Sequence, residues 1–177
     1  MKFCPNCGSA VEQKIPKNDT LPRYVCTSCE MIHYQNPRVV VCCIAEWQQK
    51  ILLCRRAIQP RYGLWTVPGG FLENKETTSQ AAVRETWEEA NAKIELGPVF
   101  ALLNVPHISQ VHVFYRAQLQ SATYSSGNES LDVALFDEEK IPWDNMAFRT
   151  TAIALKYYFV DRRNNNFGFH SEDIPAR

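Results

Sequence analysis

The sequence predicts a mixed α/β domain preceded by a small cysteine-rich segment, and three observations support this prediction. Four of the seven cysteines form two close pairs within the first thirty residues. Beyond them, short apolar runs rich in β-branched residues indicate buried strands. Two longer segments have the apolar spacing of amphipathic helices. We expect residues 1–35 to form the cysteine-rich segment, residues 36–163 the main domain and residues 164–177 a loose polar tail.

The predicted strands follow from local sequence patterns. Arg38–Trp47 is an apolar run with many β-branched residues. The polar residues after it predict a hairpin with a second strand at 51–55. Proline and glycine are frequent in residues 60–70, which predicts a loop. Three further strands are predicted at 100–105, 111–119 and 131–136.

Two helices are predicted, at residues 77–90 and 150–160. In the first, Val83, Trp87 and Ala90 recur at helical spacing and are expected to face the core. Asn91 suits the helix end, because asparagine tolerates the left-handed backbone conformation that is common there.

The composition disfavours several classes of protein. Lys plus Arg and Asp plus Glu both number 19, so the formal net charge is zero and no overall basic field favours nucleic acid. No apolar stretch is long enough for a membrane span, and the opening residues lack the apolar run of a signal peptide. The paired cysteines are typical of a metal site in a reducing compartment rather than of a secreted disulfide framework. We therefore expect a cytoplasmic protein.

The first predicted helix is the most informative segment. At about 100° per residue, Glu85, Glu88 and Glu89 lie on roughly the opposite side from Val83 and Trp87. Like charges at this spacing repel, and a divalent cation such as Mg²⁺ or Mn²⁺ reverses the effect by taking carboxylate oxygens as ligands. Taken alone, three glutamates on one side of a helix are more often an exposed acidic surface.

The residues flanking these glutamates favour a binding site. The tight turn at Gly69 and Gly70 lets the backbone come close to a ligand. Glu76 is expected at the helix start, where a carboxylate suits the helix dipole. Arg84 can pair with a neighbouring carboxylate and hold it in place.

The segment 70–92 resembles the Nudix box, the signature of a superfamily of hydrolases. The box reads Gly, five residues, Glu, seven residues, Arg-Glu, an aliphatic, any residue, Glu-Glu, any residue, Gly and an aliphatic. The matching positions here are Gly70, Glu76, Arg84, Glu85, Thr86, Glu88, Glu89, Asn91 and Ala92. Every charged position agrees with the box. Asn91 replaces the usual glycine, a mild departure because asparagine can adopt the same backbone conformation.

The resemblance implies an α/β/α sandwich with a mixed sheet and a Mg²⁺- or Mn²⁺-dependent enzyme. It assigns the metal to Glu85 and Glu89, with Glu88 close by and the carbonyl of Gly69 as a further contact. Arg84 would orient a carboxylate. The implied reaction cuts a phosphoanhydride bond in a nucleoside diphosphate linked to another moiety, and it releases a nucleoside monophosphate.

The same resemblance implies a further metal-binding or base carboxylate just before a later strand. Glu129 matches that position best, and Asp132 is its competitor. A surface turn that carries acidic side chains is the alternative to both.

The cysteines form two CxxC pairs, Cys4 with Cys7 and Cys26 with Cys29, separated by eighteen residues. Four thiolates at this spacing are typical of a closed, tetrahedral structural zinc site. A segment with so few large apolar residues needs such a crosslink to fold. Two disulfides are the alternative.

Within the Nudix superfamily, an N-terminal four-cysteine ribbon occurs in NADH pyrophosphatases and in a group resembling the FAD/ADP-ribose pyrophosphatases of plant chloroplasts. Residues 102–115 lack the proline-rich signature of the NADH pyrophosphatases, and residues 127–136 and 141–148 look like the second group. ADP-ribose or FAD is therefore the favoured substrate, and NADH or NAD is the next. Two less favoured functions are removal of an NAD cap from RNA and non-catalytic binding of a nucleotide. The resemblance also implies a homodimer.

Three side chains are the favoured substrate contacts, namely Arg55, Arg61 and Trp65. Arg56 is a further candidate for binding phosphate. Aromatic residues in strands are more often part of a core than stacked on a base. For His107 and His112 we favour a structural role over a catalytic one.

Overall fold

The computed structural model describes residues 1–176 and contains two compact units, Met1–Pro37 and a second that begins at Arg38. The first unit has a three-stranded antiparallel sheet of β1 (Val11–Lys14), β2 (Arg23–Cys26) and β3 (Ile32–His33), in that order. Its buried apolar side chains, among the residues described, are Cys4, Val25 and Cys26. So small a core cannot stabilise the unit without a crosslink.

The second unit combines strands with two α-helices. In chain order they are β4 (Arg38–Trp47), β5 (Lys50–Arg56), β6 (Trp65–Thr66), β7 (Gly69–Phe71), α1 (Thr78–Ala90), β8 (Ile94–Val105), β9 (Gln110–Leu119), β10 (Ser130–Phe136), α2 (Arg149–Asn164) and β11 (His170–Asp173). The order in the sheet is β10-β5-β4-β9-β8-β11, with β6 paired to β5 and β7 paired to β4. β4 is parallel to β9 and β8 is parallel to β11, whereas β5 and β10, and β8 and β9, are antiparallel. The sheet is therefore mixed, as predicted.

Strands β4 and β5 separate beyond their connecting turn, and β7 pairs with β4 in the space between them. The predicted hairpin forms, and its two strands pair at Glu46 with Ile51 and at Trp47 with Lys50, next to the turn. Further along β4, β7 takes the place of β5, so that Gly69 pairs with Cys42. The prediction of a tight turn at Gly69 and Gly70 is therefore wrong, because both residues belong to β7, and this strand places them beside the first helix.

Helices α1 and α2 lie on opposite faces of the sheet. Consecutive residues of a strand point to opposite faces. Cys43 of β4 packs in an apolar cluster with Ala90 of α1, and Ile44 packs in a cluster with Leu155 and Phe159 of α2. This arrangement confirms the predicted α/β/α sandwich. In residues 1–176, no helix is both long and apolar enough to cross a membrane.

The prediction that Val83 and Trp87 face the core is wrong. Their exposed fractions are 43% and 48%. The helix instead buries Ala81, Ala82, Thr86, Glu89 and Ala90. Small side chains let the helix approach the sheet closely, and this approach carries the Glu89 carboxylate to the Gly69 N–H.

The prediction of a loose polar tail is wrong for His170–Asp173, which forms β11. This strand pairs in parallel with residues 101–104 of β8. It has no apolar alternation because it lies at the edge of the sheet, where main-chain hydrogen bonds hold it. His170 Nε2 also lies 2.8 Å from an oxygen of Asp161, and the following Ile174 is buried.

Candidate functional site

An acidic site forms where the Gly69–Gly70 segment of β7 meets the side of α1. A Cβ atom on Gly69 would lie 2.6 Å from the carbonyl oxygen of Val41, so this position requires glycine, and one on Gly70 would lie 2.5 Å from Glu85 Oε1, so a larger residue there would displace the Glu85 carboxylate. The Gly69 N–H donates to Glu89 Oε2 at 3.3 Å. Strand β7 therefore brings main chain against the two glutamates that the resemblance assigns to the metal.

Arg84 donates hydrogen bonds to three carboxylates beside this strand. Its Nε and Nη2 donate to the two oxygens of Glu76 at 3.0 and 2.6 Å, and its Nη1 donates to Glu85 at 2.7 Å and to Glu88 at 3.0 Å. The hydrogen bonds to Glu76 are the main reason that the pKa of Arg84 is raised. Glu76 lies at the helix start, one residue before the N-cap residue Thr77, and its carboxylate pairs with Arg84.

Glu89 lacks the neutralisation by Arg84 that Glu85 and Glu88 receive. Burial raises the pKa of Glu89 to about 8, and repulsion from Glu85 adds to the effect. Burial also raises the pKa of Glu85, although the hydrogen bond from Arg84 opposes the rise. Glu88 is largely exposed and pairs with Arg84. Two desolvated carboxylates that repel each other favour a bound cation.

Glu129 lies in the segment between β9 and β10, which docks on the end of α1. The Gly127 N–H donates to the Glu89 carbonyl at 3.0 Å, which docks the segment on the end of α1. Glu129 is exposed, and its charge contributes to the raised pKa of both Glu85 and Glu89 after the effect of burial. The competing Asp132 lies within β10, where its carboxylate accepts from the next N–H at 2.8 Å.

The donors beside this strand fit a hard divalent cation. Mg²⁺ is commonly held by one or two carboxylates, with waters and substrate phosphates completing its coordination. Glu85 and Glu89 supply carboxylate oxygens beside the main chain of β7, and Glu129 adds a third from the adjoining segment. In the described part of the chain, these carboxylates do not form a cluster in which three ligand atoms lie within 4.8 Å of one another.

The structure distinguishes the adjacent Arg55 and Arg56. Arg55 is exposed, and its Nε donates to a main-chain carbonyl at 2.9 Å. Arg56 is buried, its Nε donates to the Pro60 carbonyl at 2.9 Å, and its guanidinium carbon lies 5.1 Å from the centre of the Phe148 ring. Burial is the main cause of the raised pKa of Glu89, and the positive charge of Arg56 opposes this rise. Arg56 therefore lies near the acidic site, which its sequence position alone does not indicate.

The structure shows the surroundings of Trp65, Arg61 and His112. Trp65 packs edge-on against Phe136, with ring centroids 4.9 Å apart, and Arg61 is exposed. His112 is buried, and its Nδ1 lies 2.9 Å from the hydroxyl of Thr150. Burial lowers the pKa of His112 to about 4. These contacts agree with the structural role expected for His112.

The four paired cysteines converge in the first unit. The Sγ atom of Cys7 lies 3.4 Å from that of Cys26 and 3.5 Å from that of Cys29, and the Sγ atoms of Cys4 and Cys29 are 3.7 Å apart. Four sulfurs bound tetrahedrally at about 2.3 Å from zinc would be about 3.8 Å apart. The cysteines are free thiols rather than disulfides, and all four ligand atoms lie within 4.8 Å of one another. The ribbon thus has the geometry of a closed zinc site.

Comparison with known families agrees with both units. The N-terminal zinc ribbon of Nudix proteins matches residues 2–35, and the NUDIX domain matches residues 35–155. An α/β/α sandwich with carboxylates on this helix, preceded by a four-cysteine ribbon, defines the class. The chain belongs to the Nudix hydrolase family.

Three similar proteins illustrate this relationship. A NUDIX hydrolase from Nitrosomonas europaea, known from its crystal structure, is 51% identical with a TM-score of 0.95, covering 98% of this chain and 99% of that one. An ADP-ribose pyrophosphatase from Methanocaldococcus jannaschii is 29% identical over 139 residues, which is 76% of this chain and 78% of that protein. The NAD-capped RNA hydrolase NudC from Vibrio vulnificus is 35% identical over 96 residues, which is 53% of this chain. The match spans about a third (34%) of the length of that NudC.

Proposed function

We propose that this protein hydrolyses a phosphoanhydride bond in a nucleoside diphosphate linked to another moiety. ADP-ribose or FAD is the favoured substrate, and a nucleoside monophosphate is released. The main support is the buried Glu89 carboxylate, held by the Gly69 N–H beside Glu85. The similarity to an ADP-ribose pyrophosphatase over three quarters of this chain (76%) adds to that support.

Mg²⁺ or Mn²⁺ is the proposed cofactor, with Glu85, Glu89 and Glu129 as carboxylate ligands and the Gly69 carbonyl as a further one. When bound, such an ion stabilises charge on the diphosphate and activates water for attack. Arg84 holds the Glu85 carboxylate in a fixed direction through their 2.7 Å hydrogen bond. The exposed Glu88, on the same guanidinium, is proposed to assist.

Arg56 is the proposed phosphate contact. Its Nε hydrogen bond to Pro60 and its position over the Phe148 ring fix the guanidinium near Glu89. A guanidinium fixed in this way donates charge-assisted hydrogen bonds to phosphate at a small further cost in side-chain entropy. Arg55, Arg61 and Trp65, which the sequence favours, stay predictions.

A substrate panel tests the proposed activity. ADP-ribose, FAD, NADH and NAD-capped RNA are each assayed with Mg²⁺ and with Mn²⁺. We expect fastest hydrolysis, with AMP release, for ADP-ribose or FAD, and complete loss of activity in EDTA. Faster hydrolysis of NADH or of capped RNA would favour the activity suggested by the similarity to NudC. No hydrolysis of any substrate with either metal would contradict the proposal and favour a nucleotide-binding module.

Arg56→Gln is expected to raise the KM of the preferred substrate by about tenfold to a hundredfold, with a smaller change in kcat. A hydrogen bond to a charged group contributes about 1.5–3 kcal/mol, and about 1.4 kcal/mol corresponds to tenfold. Arg55→Gln removes the adjacent, exposed arginine and is expected to change KM by about twofold or less. Steady-state kinetics on both variants show which of the two arginines contacts the phosphate. A larger effect for Arg55→Gln would assign the phosphate contact to the residue that the sequence favours.

A reducing, cytoplasmic setting is also proposed. Burial raises the pKa of Cys42, Cys43 and Cys54, which keeps these thiols protonated and unreactive. Free thiols in both units agree with such a compartment. The homodimer rests on the family resemblance and stays a prediction.

A further inference from the structure

Asn91 makes contacts that the glycine usual at this position of the box could not make. It ends α1 in the left-handed conformation, with φ 47° and ψ 29°, and its N–H donates to the Trp87 carbonyl. Its side-chain Nδ2 lies 3.3 Å from the carbonyl oxygen of Ser125, 3.1 Å from the hydroxyl of Ser125 and 3.2 Å from the carbonyl oxygen of Ser126. One amide group thus joins the helix end to a segment more than thirty residues further along the chain.

The main chain of that segment also docks on the last turn of α1. The Ser125 N–H donates to the Ala90 carbonyl at 2.9 Å, and the Gly127 N–H donates to the Glu89 carbonyl at 3.0 Å. A Cβ atom on Gly127 would lie only 1.7 Å from the Glu88 carbonyl oxygen. The segment therefore fits the helix end so closely that a small displacement breaks several contacts at once.

Glu129 follows this docked segment directly. Its own carbonyl accepts from the Ala57 N–H at 2.8 Å, so the chain is held on both sides of the glutamate side chain. We propose that Asn91 is a positioning residue, whose side-chain amide holds residues 125–127 on α1 and thereby keeps the Glu129 carboxylate at the acidic site. The inference rests on the proposed metal-binding function of that site.

Asn91→Gly tests this role without straining the backbone, because glycine adopts the left-handed conformation freely. Asn165→Gly is the matched control, since Asn165 ends α2 in the same conformation, with φ 49° and ψ 37°. We expect Asn91→Gly to weaken Mn²⁺ binding to the zinc-loaded protein by roughly tenfold, the lower end of the range for residues that support metal ligands. It should also speed hydrogen exchange at the Ser125 and Gly127 N–H groups. Asn165→Gly should change neither quantity.

Glu129→Gln shows whether Asn91 acts through Glu129. The double variant should bind Mn²⁺ as weakly as Glu129→Gln alone, because the two changes remove the same contribution. Unchanged Mn²⁺ binding in Asn91→Gly or in Glu129→Gln, unchanged exchange at Ser125 and Gly127, or full additivity in the double variant would each overturn the proposal. None of these measurements needs turnover. An inactive protein with the expected binding and exchange changes would contradict the hydrolase function while supporting the role of Asn91.

Discussion

Glu89→Gln is expected to reduce metal-dependent hydrolysis by about a thousandfold, because a catalytic metal supplies several kcal/mol of transition-state stabilisation. Glutamine has the same size and can still accept from the Gly69 N–H, so the local fold should be kept. Steady-state kinetics with Mg²⁺ and Mn²⁺ measure the loss. Glu95→Gln, at an exposed position of β8, is the control and should keep wild-type activity. Activity of Glu89→Gln within about tenfold of wild type would contradict its assignment as a metal ligand.

The same substitution is expected to stabilise the metal-free protein above neutral pH. Burial, and then repulsion from Glu85, raises the pKa of Glu89 from 4.5 to about 8. A carboxyl with a raised pKa contributes stability that is fully present below its unfolded-state pKa and is lost as the pH rises through the folded-state value. Glutamine stays neutral, so it avoids that loss.

Thermal unfolding of protein that retains its zinc, measured without Mg²⁺ or Mn²⁺, reports this effect. The Tm of Glu89→Gln should exceed that of wild type at and above pH 8 by about 2–4 °C for each kcal/mol gained. The difference should disappear below about pH 4.5, where both side chains are neutral. A lower Tm for the variant at pH 8 would show that the carboxylate stabilises the fold even without metal.

Cys26→Ser is expected to remove zinc from the ribbon and to unfold the Met1–Pro37 unit. Zinc contributes about 10 kcal/mol or more to the folding of small structural sites, whereas this unit buries little beyond its cysteines and Val25 in the residues described. Metal analysis should find one zinc per wild-type chain and none in the variant. Limited proteolysis should then cut within residues 1–37. The helical circular dichroism should persist, because α1 and α2 belong to the second unit.

Cys43→Ala is the matched control for the loss of a buried cysteine. Cys43 is fully buried in the second unit and is not one of the four clustered cysteines. The variant should keep its zinc, although a cavity in the core lowers its stability. Wild-type protein purified without added metal and found to contain no zinc would refute the structural zinc site.

Much of the acidic site follows from local spacing. The interval from Glu85 to Glu89 is one helical turn, and Arg84 lies on the same helix, so any helix over these residues brings the groups together. A glycine at position 70 leaves room for the Glu85 carboxylate, which a Cβ atom there would displace. The expected helix end at Asn91 is likewise confirmed, since left-handed backbone is a local preference of asparagine.

Long-range packing accounts for what the sequence did not predict. The placement of the Arg56 guanidinium over the Phe148 ring, which Arg55 does not share, is one such contact. Likewise, β11 forms because an edge of β8 is available for main-chain hydrogen bonds, which require no apolar pattern. These contacts join residues far apart in the chain, and no local spacing rule describes them.

The sequence by itself determined the family, the four-cysteine site and the charged residues that α1 brings together, because each depends on residue types at fixed short intervals. Only the tertiary structure decided which side of α1 is buried. The largest apolar side chains stayed exposed, because the small ones allow the close approach that places Glu89 against Gly69. The tertiary structure also decided the surroundings of Glu129, since the docking of residues 125–127 on α1 depends on how distant segments fit together.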